Sequence, residues 1–189
     1  MKPQTTQTKE KRLLWIDLET TGLDPNKDAI LELETRITDT EGEHIFSSLH
    51  VVVSPTDYEI AHISAEAKAM HTKNHLLEET KEGFLPCSAW RMLRANIKDG
   101  ARKAELQPAG SSPHFDIQFL TPRIPDLPKF VSHQQMDVSG LRRYFKTANP
   151  EALASIDDGI PETNHRTTKC LDRDIARYRH MLEWTGSRV

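Results

Sequence analysis

The stretch LLWIDLETTGLDP, residues 13–25, decides the fold, because an apolar run there ends in two acids, Asp17 and Glu19. Side chains alternate between the faces of an extended strand, so residues 17 and 19 point the same way, about 6.5 to 7 Å apart. Like charges in this arrangement repel each other. The pattern therefore predicts a buried strand that ends either in two solvated acids or in a site where a cation holds both.

The segments on either side predict further strands. Residues 12–18, 29–40 and 45–54 show strand-like patterns separated by tight turns, which favours an antiparallel meander. A short inner strand is predicted within residues 103–112. Strands followed by helices indicate an α/β fold in which a mixed sheet is covered by helices.

Helical spacing begins near Ser64 and dominates the rest of the chain. Ser64, Ser88, and either Asp137 or Ser139 are the expected N-caps. A polar loop is predicted over residues 154–165. It leads to a final amphipathic helix whose predicted apolar stripe is Leu171, Ile175, Tyr178 and Leu182.

Length and composition are those of one soluble domain. The 189 residues predict a flexible polar N-terminus over 1–11 and a single domain over 12–189. Twenty-five basic and 28 acidic residues give a net charge of −3, which argues against binding nucleic acid through bulk positive charge. No apolar segment is long enough for a membrane span or a signal peptide, and the two cysteines match no disulfide framework. We therefore expect a cytoplasmic protein without a membrane partner.

Two later residues could complete a site with the first two acids. Asp116 lies in GSSPHFDIQFL, where turn-prone residues precede a helix start, and His165 lies in a polar loop before the last helix. Carboxylates can hold two divalent cations that assist phosphodiester cleavage, and a histidine can accept the proton of the attacking water. The set suits the hydrolysis of nucleic acid.

These motifs resemble those of a known family. WIDLETTGLD, GSSPHFDIQFL and the HR-containing approach to the last helix are similar, in order and spacing, to the three motifs of the DEDDh 3'-to-5' exonucleases, and most similar to the oligoribonucleases. The resemblance implies a ribonuclease H-like, mixed five-stranded sheet whose first three strands are antiparallel, flanked by helices. It also implies hydrolysis of short or single-stranded DNA or RNA oligonucleotides to nucleoside 5'-monophosphates, with two Mg²⁺ or Mn²⁺ ions, and it is compatible with a homodimer.

The resemblance also implies roles for single residues. Asp17, Glu19 and Asp116 would be metal ligands, and His165 the general base. The residues that it implies in substrate binding are Leu18, Thr20, His71, Ser112 and Ser139.

The chain departs from this family at the fourth acid, where Cys170 stands five residues after the histidine. A thiol is a poor ligand for magnesium. Asp174 lies one helical turn further on and shares the face of Cys170, whereas Asp172 faces away. Asp174 is therefore the expected substitute ligand.

Cys170 leaves three readings open. A shifted Asp174 could complete an active site, or Cys170 could leave a crippled or manganese-favouring enzyme. The third is a non-catalytic or weakly active module that binds nucleic acid ends. Exonuclease activity is the preferred interpretation, because the other implied site residues are present: Asp17, Glu19, Asp116 and His165.

Three other departures concern the substrate. Ser111, Gln134 and Glu66 stand where the oligoribonucleases have an asparagine, a phosphate-gripping arginine and a base-stacking tryptophan. A weaker grip on the 5' phosphate predicts poorer selectivity for dinucleotides. Activity on longer single strands is therefore an alternative.

Overall fold

Five strands form one mixed sheet in the computed structural model, which describes residues 9–186. The strands are β1 (Lys11–Thr20), β2 (Ile30–Thr38), β3 (Ile45–Val52), β4 (Glu105–Gly110) and β5 (Met136–Asp137). Their order across the sheet is β3-β2-β1-β4-β5. The first three strands pair antiparallel, whereas β4 is parallel to β1 and β5 is parallel to β4. The predicted fold class is confirmed.

Helices cover this sheet and, after β3, alternate with β4 and β5 along the chain. They are α1 (Asp57–Ala61), α2 (Ala65–Lys73), α3 (Leu76–Glu79), α4 (Pro86–Lys103), α5 (Pro113–Leu120), α6 (Val138–Ala148), α7 (Pro150–Asp157) and α8 (Thr167–Gly186). No helix within residues 9–186 is long and apolar enough to cross a membrane. Residues 1–8 of the predicted flexible N-terminus lie outside the described residues, and Lys11 already belongs to β1.

The central strand β1 contributes to a separate core on each face of the sheet. Leu14 and Ile16 pack in the cluster that includes Leu93 of α4. Leu13 and Trp15 pack on the other face, in the cluster that includes Leu171 of α8. Because side chains alternate along a strand, Asp17 and Glu19 continue the row of Leu13 and Trp15 and face α8. The alternation therefore brings the first two acids towards the last helix.

A glycine allows β4 to lie close to β1 beyond their paired residues. Gly110 has φ of 149°, and a Cβ atom there would lie 2.8 Å from the carbonyl oxygen of Ile16. Any larger residue would therefore press against the β1 backbone just before Asp17. Gly110 also ends the strand that leads into α5, so its position affects where that helix begins.

Two of the predicted N-caps are confirmed and one is wrong. The Ser64 hydroxyl accepts a hydrogen bond from the Ala67 N–H at 3.1 Å, and the Asp137 carboxylate accepts one from Gly140. Ser88 is not a cap, because α4 begins earlier, at Pro86, with Leu85 at the N-cap. Proline suits the first helical turn because that turn needs no N–H donor from it.

The predicted polar loop over residues 154–165 is wrong in its first part. Helix α7 extends to Asp157, and Asn149 caps it by accepting a hydrogen bond from Ala152. Leu153 and Ile156 are buried, so this helix forms part of the core. The dipeptide Asn149–Pro150 was a sequence signal for a helix start at this point.

The predicted stripe on α8 is correct at its first residues but wrong at Leu182, which is 38% exposed. The buried side of α8 also holds Cys170, Asp174 and Met181. A helix that packs only on apolar surface would not bury a carboxylate. Asp174 is buried because α8 passes the acidic end of β1.

Candidate nuclease site

The acids of β1 come together with a thiol from α8. Asp17, Glu19 and Cys170 offer ligand atoms that all lie within 4.8 Å of one another. Glu19 is only 7% exposed, and its Oε2 lies 3.9 Å from Nε2 of the His71 ring. Asp17 has a buried Oδ2 atom without a hydrogen-bond partner among the described residues. Free carboxylate oxygens beside a thiol can bind a divalent cation.

The pKa values of the two β1 acids are strongly perturbed. Burial, followed by repulsion from Asp17 and Glu32, raises the pKa of Glu19 to about 9. Burial and then the charge of Asp174 raise the pKa of Asp17 well above its ordinary value. Without a cation the site therefore retains protons that it would release when a divalent ion bound.

Asp116 approaches the β1 acids from α5. It is buried in the first turn of that helix, and burial followed by the charge of Asp17 raises its pKa well above its ordinary value. Its carboxylate is not in the set of ligand atoms within 4.8 Å. The structure thus places Asp116 beside Asp17, but outside the group formed by Asp17, Glu19 and Cys170.

Asp174 lies behind Cys170 on the same helix. It is fully buried, its Oδ1 accepts a 2.9 Å hydrogen bond from Arg173 Nε, and its Oδ2 has no partner among the described residues. It also lies outside the 4.8 Å group, although its charge acts on Asp17. Asp172 faces away as expected, and its Oδ1 accepts a hydrogen bond from Arg36 at 2.7 Å.

Cys170 occupies the position that faces the β1 acids. Its side chain is buried, and its Sγ lies 3.0 Å from the hydroxyl oxygen of Thr163. Burial and then the charge of Asp17 raise the pKa of the thiol to about 12. In the metal-free protein this group is therefore a thiol at neutral pH.

His165 lies at the end of an exposed loop. Its backbone has φ of 56°, its N–H donates to Thr163 Oγ1 at 3.1 Å, and its carbonyl accepts from the Asn74 side chain at 2.5 Å. The imidazole does not belong to the 4.8 Å group. It is near enough to His71 for its charge to contribute to the lowered pKa of His71, whose first cause is burial.

An ionic network behind the histidine loop was missed by the sequence reasoning. Arg166 donates to Glu32 from Nε and Nη2 over 2.8–3.1 Å, and to Glu79 from Nη1 at 2.8 Å and Nη2 at 2.6 Å. Glu32 also accepts from the Thr167 N–H at 3.1 Å and pairs with His50 at 2.7 Å. The sequence signal for this network was the presence of two acids within the apolar strand segment ILELET. The HR dipeptide, far along the chain, supplies the basic partner.

Glu32 is ionised despite being 1% exposed. Burial alone would raise its pKa, but hydrogen bonds from His50, Arg166 and Thr167 lower it to about 2. Glu32 lies opposite Glu19 across the β1–β2 pair, yet the pKa of Glu19 is raised whereas that of Glu32 is lowered. The network fixes the start of α8 against β2, and so fixes the chain that follows His165.

The residues implied in substrate binding lie in two places. Leu18 and Thr20 line a cavity of about 400 Å³ beside Glu19, together with Met70 and Phe115. His71 is fully buried, and its Nε2 lies 3.1 Å from the Thr20 carbonyl oxygen, so its ring supports the cavity from behind.

The two serines form a separate polar cluster. The Ser112 and Ser139 hydroxyls are 3.0 Å apart. Asp137 holds both residues, since its Oδ1 accepts from the Ser112 N–H at 3.0 Å and from the Ser139 hydroxyl at 2.7 Å. This cluster links the start of α5 to the start of α6.

Comparisons with known proteins show the family to which the chain is similar. A family model described as an exonuclease matches residues 14–169. The chain is 34% identical over 179 residues to an oligoribonuclease of Corynebacterium diphtheriae, a match that covers 86% of this chain and 84% of the relative. An oligoribonuclease of Escherichia coli O157:H7 is 30% identical over 189 residues, covering 92% and 95%.

Solved structures share the fold at lower identity. A zinc-bound complex of E. coli exonuclease I with single-stranded DNA superposes with a TM-score of 0.71 at 15% identity, over 95% of this chain. Another exonuclease I structure gives a TM-score of 0.72 at 14% identity. The chain spans only 41% of either exonuclease I chain.

Family and fold now agree. The non-catalytic alternative is not favoured, because the proteins matched across most of their length are named as enzymes. The chain therefore belongs to the exonuclease family, as a DEDD-type 3'-to-5' exonuclease related to the oligoribonucleases.

Proposed function

We propose that this chain removes nucleoside 5'-monophosphates from the 3' ends of short or single-stranded nucleic acid in a reaction that depends on divalent metal ions. The oligoribonuclease relatives support short oligonucleotides as substrates, and the exonuclease I complex shows that a protein of the same fold binds single-stranded DNA. RNA and DNA are both included in the proposal.

In this proposal Asp17, Glu19 and Asp116 hold two divalent ions, Mg²⁺ or Mn²⁺, with Cys170 or Asp174 completing the set. Two observations indicate that these residues can hold cations: the pKa of Glu19 is raised, and Oδ2 of Asp17 has no hydrogen-bond partner among the described residues. A bound cation would reduce the repulsion between the carboxylates and would contact the unpartnered oxygen. Bound divalent ions supply an activated water and stabilise the charge that develops on the phosphate oxygens.

The remaining roles belong to side chains around these acids. His165 accepts the proton of the attacking water, and its exposed position in the loop that leads to α8 supports that role. Leu18 and Thr20 contact the terminal nucleotide in the cavity beside Glu19, and His71 supports Thr20. Ser112 and Ser139 present paired hydroxyls for a phosphate group.

The observation that carries the proposal is the convergence of Asp17, Glu19 and Cys170 within 4.8 Å in a member of the exonuclease family. The test uses 5'-labelled RNA and DNA oligomers, from dinucleotides to longer strands, with Mg²⁺ or Mn²⁺. A ladder of products shortened from the 3' end is the expected result. Glu19→Gln should abolish the ladder, and Glu78→Gln, at an exposed position of α3, should leave it unchanged.

Oligomers that stay intact with Mg²⁺, Mn²⁺, Co²⁺ and Zn²⁺ alike would refute the proposed activity. Binding without cleavage would instead support the end-binding module. We also propose a homodimer in the cytoplasm, because the resemblance of the sequence motifs to the oligoribonucleases is compatible with one. Light scattering during gel filtration measures the mass of the assembly, and a monomer mass would contradict the dimer.

A further inference from the structure

The ligand group at the end of β1 contains a sulfur atom where carboxylates alone would suit Mg²⁺. Asp17 and Glu19 supply oxygen atoms, and Cys170 Sγ is the third potential ligand within 4.8 Å. Hard cations such as Mg²⁺ bind oxygen, whereas thiolates select softer or borderline ions. The three potential ligands therefore combine oxygen donors from two carboxylates with one sulfur donor.

Neither neighbouring acid of α8 takes the place of Cys170 in this group. Asp172 is paired with Arg36 on the outer side of the helix. Asp174 accepts a hydrogen bond from Arg173 and lies outside the 4.8 Å group. Of the α8 side chains in the described part of the chain, Cys170 is the one that joins Asp17 and Glu19 within 4.8 Å, although the charge of Asp174 also acts on Asp17.

The carboxylate oxygens of Glu19 and Asp17 are available to bind a cation. The Glu19 carboxylate is more than nine-tenths buried, and its Oε2 lies 3.9 Å from His71 Nε2, beyond hydrogen-bonding distance. Asp17 Oδ2 is likewise buried, and it is unpartnered among the described residues. Buried oxygens of this kind are unfavourable unless a cation or a proton satisfies them.

Thr163 gives the sulfur atom a hydrogen-bonding partner suited to a thiolate. Its Oγ1 accepts the N–H of His165, and the same oxygen lies 3.0 Å from Cys170 Sγ. A hydroxyl can accept two hydrogen bonds and donate one, so either the Thr163 hydroxyl or the Cys170 thiol can be the donor between these two atoms. Once a metal ion displaces the thiol proton, the sulfur can only accept, and the Thr163 hydroxyl is placed to donate to it.

We propose that Cys170 is a metal-ligand thiolate, and that the ion it shares with Asp17 and Glu19 is a borderline divalent cation such as Co²⁺ or Zn²⁺ in preference to Mg²⁺. On binding, a sulfur–metal bond forms and the thiol proton passes to the solvent. The inference rests on the proposed function, because the same carboxylates serve both.

Co²⁺ is the probe, because its bonds to sulfur give charge-transfer absorption in the near ultraviolet. Metal-free full-length protein is titrated with Co²⁺, and the parent is compared with Cys170→Ser and Cys87→Ser. Cys87 is the matched control, since it is the other free cysteine and is exposed. The band should appear in the parent and in Cys87→Ser and be absent from Cys170→Ser. Zn²⁺ should remove it, and excess Mg²⁺ should not.

A second variant keeps the test decisive if Cys170→Ser does not fold. Cys170→Asp replaces the sulfur with oxygen ligands and should shift the ratio of Mg²⁺ to Co²⁺ affinities towards Mg²⁺ by about tenfold or more. Calorimetric titration measures both affinities, and circular dichroism checks the fold. An unchanged ratio, a band that persists in Cys170→Ser, or Co²⁺ binding without a band in the parent overturns the inference.

The two proposals fail differently. A Co²⁺ band that depends on Cys170, in a protein that cleaves no oligomer, would leave this inference standing and refute the proposed activity. Cleavage with Mg²⁺ by a protein that shows no sulfur–cobalt band would support the proposed activity and refute this inference.

Discussion

His165 has a left-handed backbone at the end of the loop that precedes α8. Asparagine tolerates this conformation well, so His165→Asn removes the imidazole with little backbone strain. If His165 is the general base, kcat should fall by roughly a hundredfold to ten-thousandfold while KM changes little. Steady-state kinetics on a labelled oligomer measure both constants.

The matched control is His44→Ala, an exposed histidine in the turn between β2 and β3. It should retain the parent kcat. A His165→Asn enzyme that also keeps the parent kcat would assign the proton transfer to another group.

Glu32 is a single residue on which the histidine loop depends. Replacing it with Gln leaves Arg166 without its buried partner, so we expect a loss of about 3–5 kcal/mol in the free energy of unfolding. Urea denaturation measures the loss. The exposed Glu78→Gln should change stability by no more than about 0.5 kcal/mol.

The effect of Glu32→Gln should also depend on pH. Because the pKa of Glu32 is lowered in the folded state to about 2, its charge contributes stability above the unfolded-state value of about 4.5. That contribution is lost as the pH falls through about 2. The stability difference between parent and variant should therefore shrink between those pH values. A difference that grows on acidification would contradict this assignment.

At the scale of elements, the contact between β1 and β4 sets where α5 begins. Gly110→Ala would place a Cβ atom 2.8 Å from the Ile16 carbonyl oxygen, at a φ of 149° that favours glycine. We expect destabilisation by about 1–3 kcal/mol and reduced activity, because β4 would move and carry Asp116 with it. Thermal unfolding and oligomer cleavage measure the two effects.

Gly186→Ala is the control for this contact, since no atom lies within 4 Å of a Cβ built there. It should change neither stability nor activity. Full activity in a clearly destabilised Gly110→Ala protein would show that α5 holds Asp116 independently of β4.

The strands and helices also show which features can be predicted from the sequence alone. Alternation in LLWIDLET was enough to predict that Asp17 and Glu19 share a face, since the period of a strand is set by its backbone. The Ser64 and Asp137 caps follow from local hydrogen bonding. Helix α7 was missed because its polar C-terminal half outweighed the Asn149 cap signal.

The rest of the site depends on contacts between distant parts of the chain. Asp174 was expected to replace the fourth acid, yet its pairing with Arg173 and its burial on α8 are decided by how that helix packs. Likewise, Glu32 and Arg166 are 134 residues apart. No local pattern predicts such a pair, because each partner alone is compatible with an exposed position.

At the scale of the whole molecule, the metal-free site opposes folding as the pH rises. The folded protein keeps the Glu19 proton until about pH 9, whereas the unfolded chain releases it near about pH 4.5. Stability from this group therefore falls with rising pH across that window. Glu19→Gln cannot ionise, so in the presence of EDTA it should become increasingly more stable than the parent from about pH 5 to about pH 9.

A bound divalent ion should reverse this trend, because it replaces the protons on the acids. We expect saturating Mn²⁺ to raise the Tm of the parent more at about pH 8 than at about pH 5.5, and to raise that of Glu19→Gln less at either pH. Differential scanning calorimetry measures these shifts. Equal shifts in both proteins would show that Mn²⁺ binds elsewhere.

The packing of α8 against β1 has a consequence for how the enzyme comes into being during translation. Asp17 and Glu19 emerge from the ribosome early, but His165 and Cys170 follow almost the whole of the described chain. A nascent chain synthesised only as far as α7 holds both early acids and neither late residue. The candidate site therefore stays incomplete until α8 has been synthesised and has docked against β1.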